Sequence, residues 1–242
     1  MIEHYLTITP PVQTSNSSRQ PDVPDILTAS AESLPENGAM PRAWTHVGRC
    51  WTNGEPFLAL DETLLPEWRG ESRGAYESLV PQLGYGLTGI PLGAGTAGVV
   101  LTDPEIGDEG WLEVFRADDG SVAVVQAEAV DYRGALDGAL SFPDTDDQAG
   151  EIVPVPSGRL AFVSAALDGT GEFGAFLLPE SPGPTPDSDE PADDASTDAS
   201  PLLVVPPGAF LLSVRWRTEL SADAVFARWL LTPIDRPADP HS

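Results

Sequence analysis

Glycine and proline constrain this chain more than any other feature, because 23 glycines and 25 prolines interrupt its 242 residues at short intervals. Both residues disfavour long helices and occupy the turns between strands. The apolar runs between them are short. They predict strands at 57–60, 98–101, 111–115, 121–127, 160–165 and 173–178, and one more at 4–8. Asp118-Asp119-Gly120 is the strongest hairpin signal, since Asp-Gly pairs favour tight β turns.

The remaining segments predict a fold that is mostly β, and α+β at most. One helix is expected over 72–83, with Pro81 limiting its end. Near the C-terminus, runs at 202–205 and 210–217 flank Pro206-Pro207-Gly208 and suggest a hairpin, while 224–231 fits a strand or a short helix. We expect antiparallel, sandwich-like sheets with one or two short helices. A weak internal duplication would pair the strand at 54–60 and Trp111 with the strand at 158–163 and Trp216.

Composition divides the chain into four parts. Residues 1–40 are rich in Pro, Ser, Thr and Asn and predict a loosely ordered arm, and residues 41–178 form a β-rich body. Residues 179–201 carry seven acids with no base and no aromatic residue, which predicts a flexible linker or long loop. Residues 202–242 would complete the fold as a C-terminal hairpin segment.

The charge is strongly one-sided, since 12 arginines face 38 acidic residues for a formal net charge of −26. A folded domain this negative repels phosphate backbones and anionic membranes and attracts basic partners. The chain has no lysine, which indicates a high-GC genome. No apolar stretch is long enough to span a bilayer and no secretory signal is evident, so the expected location is the cytoplasm.

The acids concentrate in two loop regions, 103–119 and 131–151. Residues 103–151 hold 14 acids against Arg116 and Arg133. If charge marks a binding face, these loops should form it. The candidate partner-binding residues are Asp103, Glu105, Asp108, Glu109, Trp111, Asp118, Asp119, Asp131, Asp144, Asp146 and Asp147.

Catalytic and metal-binding patterns are weak, so we predict that the protein is not an enzyme and holds no cofactor or metal. His4, His46 and His241 show no ligand spacing. Cys50, the single cysteine, is more typical of a packing residue than of a nucleophile. The glycine-rich run at 93–98 leads into an apolar strand and fits a β connection better than a phosphate loop.

Several segments resemble the Immunity protein 21 family. They read WTNGEPFLAL (51–60), LLPEWRG (64–70), GIPLGAG (89–95), GRLAFVSAA (158–166) and PPGAF (206–210). The family-pattern residues, to which the resemblance assigns a structural role, are Gly54, Pro56, Leu65, Trp68, Gly70, Gly93, Gly95, Gly158, Pro207 and Gly208.

The resemblance implies a non-catalytic protein that neutralises a cognate toxin of a bacterial polymorphic toxin system by sequestering it. The acidic surface fits a basic toxin domain such as a nuclease. The expected partner is therefore a protein, with no nucleic acid and no membrane, and the expected state is a monomer or weak dimer. Two alternatives stay open: a carboxylate-based hydrolase on a β scaffold, and an acidic scaffold or regulatory module.

Overall fold

The computed structural model describes residues 42–107, 109–171, 182–183 and 202–234. The strands predicted at 4–8 and 173–178, the arm at 1–40, Asp108 and most of the segment at 179–201 lie outside these residues. The elements in chain order are β1 (Trp44–Thr52), β2 (Phe57–Asp61), a 3-10 helix (Glu62–Glu67), α1 (Ala75–Leu79), a second 3-10 helix (Val80–Gln82), β3 (Gly89–Leu92), β4 (Gly95–Val100), β5 (Gly110–Ala117), β6 (Val122–Ala129), α2 (Tyr132–Ser141), β7 (Gln148–Val155), β8 (Arg159–Ser164), β9 (Leu202–Val204), β10 (Gly208–Ser221) and β11 (Ala224–Ile234).

The strands form two antiparallel sheets. Sheet 1 has the order β1-β5-β6-β11-β10-β7, and sheet 2 has the order β3-β4-β2-β8-β9. This confirms the predicted mostly β fold with few short helices.

The central strands of each sheet are buried on both faces, which explains why they read as continuous apolar runs instead of alternating patterns. In β2, Phe57 and Ala59 join the core between the sheets, which also contains Val122 and Val124 of sheet 1. The alternate β2 residues pack with Trp68 and Leu79 in a second cluster on the outer side of sheet 2. The outer face of sheet 1 packs against α2 in a third cluster. The result is a four-layered arrangement of two sheets between helical covers.

The strand order is symmetric about the centre of both sheets. In sheet 1, β1-β5-β6 mirrors β7-β10-β11, and in sheet 2, β4-β2 mirrors β9-β8, with β3 as an extra edge strand. The central pairs, β6 with β11 and β2 with β8, are antiparallel, as a two-fold axis requires. The matching turns before β2 and β8 contain Gly54 and Gly158, both with positive φ. This symmetry supports the predicted duplication, with Trp111 on β5 and Trp216 on β10 in matching strands.

The C-terminal part differs from its prediction in one respect. Strands β9 and β10 do not form a hairpin, because β9 pairs with β8 in sheet 2 whereas β10 pairs with β7 and β11 in sheet 1. The two prolines of 206–207 therefore lie where the chain crosses between sheets. The ambiguous segment at 224–231 is a strand, and it forms the hairpin with β10.

The helices are also placed differently from expectation. The predicted helix over 72–83 is reduced to α1 and the 3-10 turn that contains Pro81. Helix α2 was not predicted, nor were β1, β3 and β7. The buried residues of α2 recur at helical spacing: Tyr132, Ala135, Leu136 and Ala139. Two glycines within the helix, at 134 and 138, obscure that pattern.

The residues that carry the family resemblance lie mostly at close contacts of sheet 2. Trp68 donates its indole N–H to the carbonyl oxygen of Ala165 at 3.2 Å. Gly93 and Gly95 flank the β3–β4 turn, and a β-carbon on either would meet the side chain of Glu67 or Leu64. The remaining members are Gly54 and Gly158 in turns, buried Pro56, half-buried Leu65, and exposed Pro207 and Gly208 at the crossing. The glycine-rich run at 93–98 is a β connection, as predicted.

Gly70 is the tightest of these positions, and we expect Gly70→Ala to destabilise the fold. The new β-carbon would collide with the carbonyl oxygen of Ala165 and lie 2.6 Å from that of Leu167. Because both obstacles are backbone, relief requires shifts that cost about 1–3 kcal/mol. Urea unfolding measures this loss. Gly84→Ala is the control, since a β-carbon there has no neighbour within 4 Å; an equal effect of both substitutions would contradict the packing argument.

Asp61 links the end of β2 to the turn before β8. Its carboxylate accepts hydrogen bonds from the Thr63 backbone N–H at 2.9 Å, the Thr63 hydroxyl, and the Ser157 backbone N–H at 2.9 Å. Burial alone would raise the pKa of Asp61, but these hydrogen bonds to Thr63 and Ser157 outweigh it and lower the pKa below its ordinary value of 3.8.

A depressed carboxylate pKa makes part of the stability depend on pH. The contribution of Asp61 is present above the unfolded-state pKa of about 3.9 and is lost as pH falls through the lower folded-state pKa. We therefore expect Asp61→Asn to destabilise the protein at pH 7 and to differ progressively less from wild type as the pH falls below 4. Urea midpoints across this range measure the difference. The exposed Asp137→Asn is the control, and a pH-independent gap for Asp61→Asn would contradict the assignment.

Candidate protein-docking surface

Exposed acidic residues gather at one end of sheet 1. Three segments meet there: the loop between β4 and β5, the corner between β6 and α2, and the turn between β10 and β11. Pairing of Ala224 with Ala129 brings the last two together. We call this region the acidic end, and its exposed acids are Glu105, Glu109, Glu128, Asp131 and Asp223.

Three adjoining cavities follow the acidic end. A cavity of about 210 Å³ reaches Glu109 and Glu128, and it shares Glu128 with a cavity of about 500 Å³. The latter shares Asp223 and Val130 with a third, of about 410 Å³. Val130 is 94% exposed and lies between the second and third cavities. Of the described residues that line them, Arg217 alone is basic. The surface therefore combines an exposed apolar side chain, that of Val130, with surrounding cavities that are lined mainly by acidic and uncharged residues.

Asp103 holds this surface in place and is not itself available to a partner. It is 1% exposed, and its carboxylate accepts the backbone N–H of Glu105 at 3.0 Å and that of Arg217 at 2.7 Å. Gln126 accepts the Asp103 N–H at 2.7 Å and donates to the Gly107 carbonyl oxygen at 2.8 Å. These contacts fix the loop that carries Glu105 and tie it to β6 and β10, so Asp103 has a positioning role.

Trp111 is likewise buried, at 6% exposure. Its ring packs under the Arg49 guanidinium, 4.0 Å from the ring centre, and edge-on against Trp51 at 5.0 Å. An indole enclosed in this way cannot anchor a partner from solvent without rearrangement. The sequence could not reveal this, because strands with two buried faces leave no alternation to read.

Five other candidate acids of the described residues lie away from the acidic end, and arginines pair with three of them: Asp119, Asp144 and Asp147. Arg42 bridges Asp119 at 3.0 Å and Asp144 at 2.7 Å, which joins the β5–β6 turn to the loop after α2. Asp118 and Asp146 are exposed on the same two segments. The five exposed acids of the acidic end therefore form an open group, whereas Asp119, Asp144 and Asp147 form an internally paired group.

Arg228 is the centre of the paired group and is 1% exposed. It donates to Asp144 at 2.8 Å, to Asp147 at 2.9 Å, and to the carbonyl oxygens of Ala139 and Phe142 at the end of α2. Asp147, itself 1% exposed at the side chain, also pairs with Arg215 at 2.6 Å. This network fastens α2 to sheet 1, so Asp144 and Asp147 serve the fold.

A second buried ionic cluster surrounds Glu113 on β5, a residue that the sequence did not single out. The fully buried carboxylate contacts His46 at 2.8 Å, Arg49 at 3.0 Å and the Tyr132 hydroxyl at 3.1 Å. Burial, and then the charge of Glu113 and its hydrogen bond, raise the pKa of Tyr132. The cluster combines residue types found in active sites, but its carboxylate has no exposed surface.

Cys50, the single cysteine, lies in the interior of the fold. Cys50 is 2% exposed, and burial, followed by the negative charge of Glu113, raises the pKa of its thiol. Such a thiol is a packing group and a poor nucleophile.

Among the described residues there is no group of three or more His, Cys, Asp or Glu side chains placed to hold a metal ion. No helix in that part of the chain is long and apolar enough to cross a membrane.

A scan against protein-family models, a search of curated proteins and a search of solved structures each returned no match.

Proposed function

We propose that this protein is a non-catalytic binding protein that neutralises a basic toxin domain by docking it at the acidic end. The observation that carries the proposal is the open group of five exposed acids around the almost fully exposed Val130. An exposed apolar side chain within a charged rim is the usual composition of a protein interface.

Electrostatics favours a basic partner at this surface. The five carboxylates face solvent, and Arg217, the one basic residue among the described residues that line the three cavities, already pairs with Glu219 at 3.0 Å. A cleft lined by one sign of charge raises the association rate of an oppositely charged protein and repels nucleic acid. The partner is therefore expected to present arginine and lysine side chains.

Rigidity adds to the argument. Asp103 and Gln126 are buried and hydrogen-bonded to the loop that carries Glu105, and Asp131 accepts the Gly134 N–H at 3.0 Å as the cap of α2. A surface held in this way loses little conformational entropy on binding. Tight sequestration, as neutralising a toxin demands, benefits from this preorganisation.

The resemblance to Immunity protein 21 supplies the toxin as partner, and the acidic surface is compatible with it. The test is to co-express the chain with a toxin domain encoded beside its gene, where the resemblance implies that one lies, and to assay the purified toxin with the chain in molar excess. We expect co-purification and loss of toxin activity. Full toxin activity at that excess would contradict the proposed function.

A further inference from the structure

Helix α2 leaves part of sheet 1 uncovered on its outer face. The helix packs mainly on β6 and β11, whereas β1 and β5 form the other edge of the sheet. Arg49 of β1 and Glu113 of β5 are register partners on that edge. Their side chains are nevertheless 6% and 0% exposed. A buried ion pair is costly unless its remaining donors and acceptors are satisfied, so this edge requires a polar cover.

Gly183 provides such contacts from a distant part of the chain. Its backbone N–H donates to Oε1 of Glu113 at 3.3 Å, and its carbonyl oxygen accepts from the Arg49 guanidinium at 2.6 Å. Both partners are charged, and hydrogen bonds to charged groups are among the stronger ones. One residue thus donates a hydrogen bond to Glu113 and accepts one from the neighbouring Arg49.

The site pairs one acceptor with one donor, and the backbone of a single residue satisfies both. Arg49 and Glu113, 3.0 Å apart, present one donor and one acceptor in the way that a neighbouring strand would. A β-carbon built on Gly183 meets no atom within 4 Å. The contacts use only the backbone N–H and C=O of Gly183, which every amino acid except proline offers.

We propose that Arg49 and Glu113 form a binding site for the backbone N–H and C=O of one residue, and that the chain's own Gly183 occupies it. The occupant belongs to the acidic connection between β8 and β9. Both of these strands lie in sheet 2, whereas the site lies on sheet 1. The contacts of Gly183 attach this connection to the opposite sheet at one internal residue. This inference is independent of the proposed toxin partner.

Amide hydrogen exchange of the full-length protein tests the site. The Gly183 amide should exchange at least about tenfold more slowly than an unprotected amide of the same sequence, because the N–H is bonded to a buried carboxylate. Exchange at the unprotected rate in the folded wild-type protein would overturn the proposal. This measurement needs no variant.

A matched pair of substitutions tests the cause. Gly183→Pro removes the N–H, whereas Gly183→Ala keeps it and has room for the methyl group. We expect Gly183→Pro to increase the rate of Glu-specific proteolysis after Glu180 at least about tenfold, and Gly183→Ala to leave it near the wild-type value. Circular dichroism would verify that both variants stay folded. Equal cleavage of the wild type and Gly183→Pro would overturn the proposal.

Discussion

Arg228→Met should lower the free energy of unfolding by about 3–5 kcal/mol, the range for breaking a buried ion pair from one side. The substitution keeps an apolar side chain of similar length but removes the donors to Asp144, Asp147 and two carbonyl oxygens at the end of α2. Asp147 would keep its ion pair with Arg215 but would lose the second one, with Arg228. The end of helix α2 would then be held less firmly against sheet 1.

Urea-induced unfolding followed by tryptophan fluorescence measures this effect. Arg159→Met is the matched control, because Arg159 also forms an ion pair, with Glu62 at 2.8 Å, yet is 51% exposed. That control should cost less than about 1 kcal/mol. Losses of similar size for the two variants would contradict the structural role assigned to Arg228.

Neutralising the acidic end should slow association with a basic partner by about 10- to 100-fold at low salt. The variant combines Glu105→Gln, Glu109→Gln, Glu128→Gln and Asp223→Asn, and it spares Asp131 because that residue caps α2. Long-range attraction acts on the encounter, so the association rate should change more than the dissociation rate. Stopped-flow mixing with the proposed toxin partner measures both rates.

The control removes four charges elsewhere: Glu71→Gln, Glu77→Gln, Asp118→Asn and Asp146→Asn, all at exposed positions. Both variants therefore have the same net charge. If they slow association equally, the effect is one of net charge, and the acidic end has no special role.

The β architecture could be predicted from the chain because its signals are local. The apolar run at 57–60 and the Asp118-Asp119-Gly120 turn each encode their structure within a few residues. The β9–β10 crossing could not be predicted in this way. A proline-glycine turn joins adjacent strands or passes between sheets with the same sequence, and tertiary packing decides between them.

The candidate site was only partly readable for the same reason. Glu105, Glu109 and Asp131 were predicted and lie at the acidic end, whereas Glu128 and Asp223 were missed because each is one acid beside a strand end. Asp147 was predicted to be a binding residue, yet its partner Arg228 is 81 positions away in sequence. Composition shows the sign of a charge, but only the fold shows which charges are already paired.

A hydrogen-exchange footprint of the complex with the toxin tests the central claim most directly. We predict slower exchange on binding within 104–111, 128–132 and 221–225, the three segments that form the acidic end. Protection confined to the opposite turns at 117–121 and 142–147, or no change in a stable complex, would contradict it.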